Sequence, residues 1–131
     1  MSWERTNYSS GAPLEESVGY SRMVKKGPFV FVGGTTSVQP DGTVYAEGDA
    51  YGQTKYVLDK QIKLLAQAGA KPEDVVSVKM YLTDMKMGAE ACKAYSEFFK
   101  EIKPLCTAVG TTALNRPTQV VEIEMTAVLD D

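Results

Sequence analysis

The segment VVEIEMTAV, Val120 to Val128, alternates with period two, which predicts a strand near the end of the chain. Val121, Ile123, Met125, Ala127 and Leu129 point one way. Val120, Glu122, Glu124, Thr126 and Val128 point the other. Two carboxylates therefore share a face with apolar neighbours. A bare face of this kind exposes an apolar patch, and a buried one needs partners for its charges. Two readings stay open at this point: a solvated sheet face with two harmless glutamates, or an oligomer interface enclosing a polar cleft.

The rest of the chain supplies the partners for that strand. Residues 1–17 are polar, with Ser9, Ser10, Gly11 and Pro13, and read as an arm without an element. GYSRMVKKGPFVFVGGTTSV reads as two strands around a turn at Lys26, Gly27 and Pro28, with Tyr20, Arg22 and Val24 on one face of the first. The second, Phe29 to Val32, is apolar on both faces and predicts a covered sheet. It ends at Gly33 and Gly34, where backbone approaches closely or bends. QPDGT is a turn, and a short extra strand near Val44 is compatible with the pattern.

Asp49 to Gly69 switches to helical spacing, with Leu58, Ile62 and Leu65 at i, i+4 and i+7. KPEDVVSVKMYLTD then gives a turn and a strand. Val76, Val78, Met80 and Leu82 are expected on one face, with Val75, Ser77, Lys79 and Tyr81 on the other. Thr83 or Asp84 caps a second helix carrying Ala91, Tyr95, Phe98 and Ile102, and Pro104 lies past its end. CTAVGTTAL is a further strand and NRPT a loop. The order ββαβαββ, with no repeat and no linker, predicts a single α+β domain over 1–131. Both helices are expected on one face of one sheet.

Composition narrows the chemistry. The 131 residues carry 44% hydrophobic and 24% charged residues and a net charge of −3, the profile of a soluble globular protein. No basic run exceeds Lys25-Lys26, which argues against a nucleic-acid surface. The N-terminal stretch has no apolar run, and nothing approaches the ~20 apolar residues of a membrane span. A cytoplasmic location is expected, with Cys92 and Cys106 as reduced thiols. There is no histidine, which excludes Ser-His-Asp and Cys-His nucleophilic sites and most zinc sites with a catalytic water.

The ordered set GPFVFVGGTTSV, AGAKPEDVVSVKMYLTDM, AYSEFFKEI, PLCTAVGTTAL and VVEIEMTAV resembles the RidA/YjgF/YER057c-type family, also called the endoribonuclease L-PSP family. The likeness runs from about Gly19 to Val128. It implies a chorismate-mutase-like fold assembled as a homotrimer around a central barrel, with ligand clefts between subunits. It also implies hydrolysis of enamines and imines such as 2-aminoacrylate to 2-keto acids and ammonia, without metal or organic cofactor. Glu122 falls where the family places its cleft glutamate, thought to position a water. Gly33 and Gly34 align with the strand end whose amides contact the ligand, although Gly-Gly more often marks a bend.

Three positions depart from the deaminase pattern. Cys106 stands at the family's arginine, Ala108 at its cysteine, and Cys92 at its asparagine on the second helix. A thiol cannot replace a guanidinium fork that grips a carboxylate. Arg22, with Tyr20, is the candidate substitute, to be weighed against a surface role or structural pairing with Glu122. Cys92 and Cys106 read either as a thiol pair facing the cleft or as small, inert space-fillers. Arg116 reads as a solvated loop residue that reaches over a cleft only on the sharper reading, and Trp3 and Tyr8 of the arm as candidates to pack on a neighbouring subunit. The expected ligand is a small carboxylate-bearing molecule. Two function classes follow: an imine or enamine deaminase, or a non-catalytic metabolite-binding trimer. Ribonuclease activity rests only on the family's older name and is disfavoured by the acidic balance.

Overall fold

The computed structural model describes residues 2–130. Its strands are β1 Arg5–Tyr8, β2 Met23–Lys26, β3 Phe29–Thr35, β4 Val75–Leu82, β5 Leu105–Gly110 and β6 Val121–Val128. Its long helices are α1 Ala50–Gln67 and α2 Gly88–Phe99. The strands form one six-stranded sheet in the order β1-β2-β3-β6-β4-β5. Every neighbouring pair is antiparallel except β4 with β5.

One core lies between the sheet and both helices. Val30, Val32, Val78, Met80, Leu82, Val121, Ile123 and Met125 meet Val57, Leu58 and Leu65 of α1 and Ala91 and Phe99 of α2. The alternation read in β6 is realised: Val121, Ile123, Met125 and Ala127 are buried, while Glu122, Glu124, Thr126 and Val128 are half-buried on the uncovered face. Asp49 caps α1 by accepting from the Gly52 amide at 3.1 Å, satisfying one of the orphan donors of the first turn. Three buried glutamines tie the core to the backbone. Gln53 of α1 donates to the Ala46 and Thr118 carbonyls and accepts from the Val120 amide at 2.9 Å. These bonds fix the start of β6, and with it the position of Glu122. They also draw Val120 into the core, not onto the open face as alternation suggested.

Other expectations need correcting. The first 17 residues are more than an arm: Arg5–Tyr8 forms β1 and pairs with β2. Trp3 lies 5.5 Å from the Phe29 ring and covers Gly27, where a Cβ would strike the indole. The sheet edge thus orders a segment with no alternation of its own. Tyr20 and Arg22 precede β2 and are not in a strand. The chain from Glu15 to Gly19 closes a wide helical turn in which the Tyr20 amide donates to the Glu15 carbonyl, so the strand starts only at Met23.

In β4 a register shift lies between Val75 and Ser77. It turns Val75 inward and leaves Val76 45% exposed, the reverse of strict alternation, because a bulge inserts one residue. Gly33 and Gly34 lie inside β3 at a second register shift, between Val32 and Thr35. Asp84 caps a short turn, Met85–Met87, that leads into α2 instead of capping α2 itself. Near Val44 only a single bridge to Val38 forms. β5 stops at Gly110, short of the predicted span.

Candidate functional site

Strand register builds the site. Glu122 lies opposite Tyr81, and Glu124 opposite Lys79, on the uncovered face. The Tyr81 hydroxyl donates to the Glu124 carboxylate at 2.5 Å. Among the described residues no hydrogen-bond donor or ion-pair partner reaches the Glu122 carboxylate. Burial raises the Glu122 pKa above the ordinary carboxylate value. The nearby Arg22 charge pulls it down and Glu124 pushes it up. The register shift in β3 brings Gly34 against this carboxylate, where a Cβ would collide with it. Glycine is needed here for close approach rather than for an unusual backbone angle.

Arg22 is committed elsewhere. Its Nη1 donates to the Gly34 carbonyl in a short contact. Its Nε is 3.4 Å from Ser10 Oγ and 3.8 Å from Glu15 Oε2, and its guanidinium sits 5.5 Å from the Tyr20 ring centroid. Glu15 is 5% exposed. Burial pushes its carboxyl pKa up, but hydrogen bonds from Ser10 and Ser9 and the Arg22 charge outweigh that and hold it below the usual value. Arg22 thus ties the N-terminal segment to the β3 bulge. Of the two sequence readings, structural pairing describes its contacts, though the carboxylate it pairs with is Glu15, not Glu122. Nothing in the local sequence marks Glu15 as that partner.

Tyr20, Arg22, Gly34 and Glu122 line one open groove of about 1010 Å³, walled on its other side by α1. A smaller recess on the uncovered face brings Glu122 together with Gly34, Tyr81, Thr111, Asn115 and Glu124. Gly33 lines neither, and its amide donates to the Arg22 carbonyl at 2.8 Å. Tyr81 was absent from the sequence candidates. Its role as the partner of Glu124 depends on which strand lies beside β6, and β4 is not its neighbour in sequence.

The two cysteines lie apart from this group. β5 pairs Cys106 with Val78, a core residue, so Cys106 faces the helices, while Glu122 faces away from them. Cys92 stands one helical turn before Tyr95 on α2. Desolvation raises the Cys106 thiol pKa, a hydrogen bond with Tyr95 lowers it, and Cys92 raises it again. The net shift is upward. Both thiols are free. A single chain therefore gathers Tyr20, Arg22, Gly34 and Glu122 in one place and Cys92 and Cys106 in another.

Residues 11–129 match the family described as endoribonuclease L-PSP. The chain belongs to this family, the RidA/YjgF/YER057c/UK114 family. A RutC family protein of Pyrococcus abyssi is 39% identical over 109 residues, covering 83% of this chain and 84% of the relative. The crystal structure of a YjgF/YER057c/UK114 family member from Mycobacterium tuberculosis superposes with a TM-score of 0.87 at 38% identity, covering 96% of this chain and all (100%) of that one. Yeast Mmf1 superposes with a TM-score of 0.84 at 26% identity, covering 97% and 100%. A related yeast sequence, Protein MMF1, is described as mitochondrial. Within the L-PSP family frame, the α+β sheet with two helices is the shared scaffold. No helix among the described residues is long and apolar enough to cross a membrane.

Proposed function

We propose that this L-PSP family protein binds a small metabolite in clefts between subunits and hydrolyses an imine, enamine or related carbonyl derivative, with Glu122 positioning the water. The observation that carries this reading is the Glu122 carboxylate. It is half-buried, its pKa is raised by desolvation, and no protein donor occupies it among the described residues. A carboxylate left without a partner beside a recess is available to hold water and move a proton. An imine carbon is already electrophilic, so orientation and proton transfer suffice.

Two features support assembly into the homotrimer that the family resemblance implies. Phe31 and Val76 are 46% and 45% exposed on or beside the uncovered face, an apolar surface of the sort that association covers. Cys106, at the family's arginine position, faces away from its own chain's Glu122. A cleft containing both positions therefore takes them from different chains.

A second reading, a binding trimer without turnover, draws on a specific observation. Arg22 is engaged by Ser10, Glu15 and the Gly34 carbonyl, and Cys106 offers no guanidinium. Substrate-carboxylate capture therefore lacks its usual fork. The discriminating experiment generates 2-aminoacrylate in situ with a lyase and follows keto-acid release by the natural chain, Glu122→Gln and Cys106→Arg. Acceleration by the natural chain that is lost in Glu122→Gln supports the hydrolase. Acceleration only in Cys106→Arg supports a competent scaffold turned to binding or to another substrate. Equal rates in the natural chain and Glu122→Gln would end the role given to Glu122.

A further inference from the structure

The groove beside Glu122 holds a second group with chemistry of its own. Tyr56, Lys60 and Lys63 of α1 line it at i, i+4 and i+7, on one flank of the helix. Lys63 is neutralised by Asp59 at 2.9 Å. Lys60 is half-buried, and among the described residues no carboxylate lies within ion-pair distance of its amine. Glu15, the carboxylate whose charge reaches it, is already taken by Ser10 and Arg22. The groove therefore presents an amine beside a fixed guanidinium, with part of its hydration removed.

From this geometry we infer that Lys60 is a nucleophilic amine that captures small carbonyl compounds, such as aldehydes or 2-oxo acids, as a reversible imine within the groove. The step balances without a redox partner. The neutral amine's lone pair forms a C–N bond to the carbonyl carbon, and the carbonyl oxygen takes up a proton to give a carbinolamine. Loss of water then leaves the imine, so amine and carbonyl give imine and water. The reverse reaction consumes that water and frees both.

The electrostatics favour the neutral amine that this attack requires. Desolvation lowers the Lys60 pKa and the Arg22 charge lowers it further, against a smaller opposing pull from Glu15. Buried lysines shift in this direction, and the shift is what makes them reactive. The inference goes beyond the Glu122 reading and stands whether or not Glu122 turns over an imine.

The test compares lysines within the intact natural chain, with Lys60→Arg as a second measurement. The protein is incubated with pyruvate and cyanoborohydride at neutral pH, which reduces any imine to a stable carboxyethyl-lysine, and the sites are mapped by peptide mass spectrometry over time. The expected result is modification of Lys60 several-fold faster than of the exposed Lys26 and Lys100, with the fast phase absent in Lys60→Arg. Modification of Lys60 no faster than those two lysines would overturn the inference, as would a fast phase surviving in Lys60→Arg. Neither result depends on keto-acid release in the 2-aminoacrylate assay.

Discussion

The Glu122 end of the sheet and the Cys106 edge make an instructive pair. Both present polar side chains that the sequence singled out. At the Glu122 end, the β3 bulge brings Gly34 onto the carboxylate, and Arg22 ties Ser10 and Glu15 of the N-terminal segment to the Gly34 carbonyl. At the Cys106 edge the strand is regular, and the thiol meets Tyr95 of the helix that covers it. The first region leaves a carboxylate without a donor. The second leaves its thiol exposed beside Tyr95, with desolvation raising its pKa against the Tyr95 hydrogen bond. The difference teaches that one chain keeps reactive groups apart by placing them on opposite faces of one sheet.

The largest effect expected from breaking this contrast comes from Arg22→Ala. It removes the bond to the Gly34 carbonyl and the cation beside Glu15, whose carboxylate keeps its Ser10 donors, and should destabilise the chain by about 2 kcal/mol, the order of a lost hydrogen bond from a charged group. Urea unfolding would measure this. Hydrogen exchange should increase in β1 and β2, while thiol alkylation of Cys92 and Cys106 in the folded protein stays unchanged. Altered thiol rates would mean that the two regions are coupled.

Gly34→Ala should act on function more than on folding. The added methyl meets the end of a flexible side chain, so stability changes little, but the carboxylate must move. If Glu122 positions water, keto-acid release should fall by about 100-fold, the order expected for an ångström-scale misplacement. Unaltered kinetics with an unaltered melting temperature would separate Glu122 from the chemistry.

The smallest effect sharpens the electrostatics. The folded pKa of Glu122 lies above the ordinary carboxylate value of 4.5. Its contribution to stability is therefore fully present below the unfolded pKa and is lost as pH rises through the folded one. Glu122→Gln is uncharged throughout. It should be the more stable protein at neutral pH, with the advantage shrinking as pH falls towards 4.5. Urea midpoints at two pH values would report it, and a gap that stays constant with pH would show that Glu122 is not desolvated.

The order of elements was legible because period-two and helical spacing are strong in β3, β6, α1 and α2. The buried face of β6 followed directly from its alternation. What escaped was wherever the backbone departed from a regular period. Val75 and Val76 exchanged roles because one extra residue at a bulge reverses the faces. β1 escaped because its residues bury almost nothing themselves and gain order from pairing with β2. Of the site, Tyr20, Arg22, Gly34 and Glu122 were named from the sequence. Glu15, Tyr81 and Lys60 were not, since their significance comes from neighbours far away in the chain.

The sequence by itself determined the set of strands and helices, the apolar faces that join them, and the chemistry open to a chain without histidine. It did so because burial is periodic and residue type is local information. The tertiary structure alone decided that Arg22 serves Glu15, that Tyr81 rather than Lys79 satisfies Glu124, and that Cys106 and Glu122 look in opposite directions. Those outcomes depend on strand order and register, which bring together residues far apart in the chain, and a hydrogen bond forms only where the fold leaves donor and acceptor within reach.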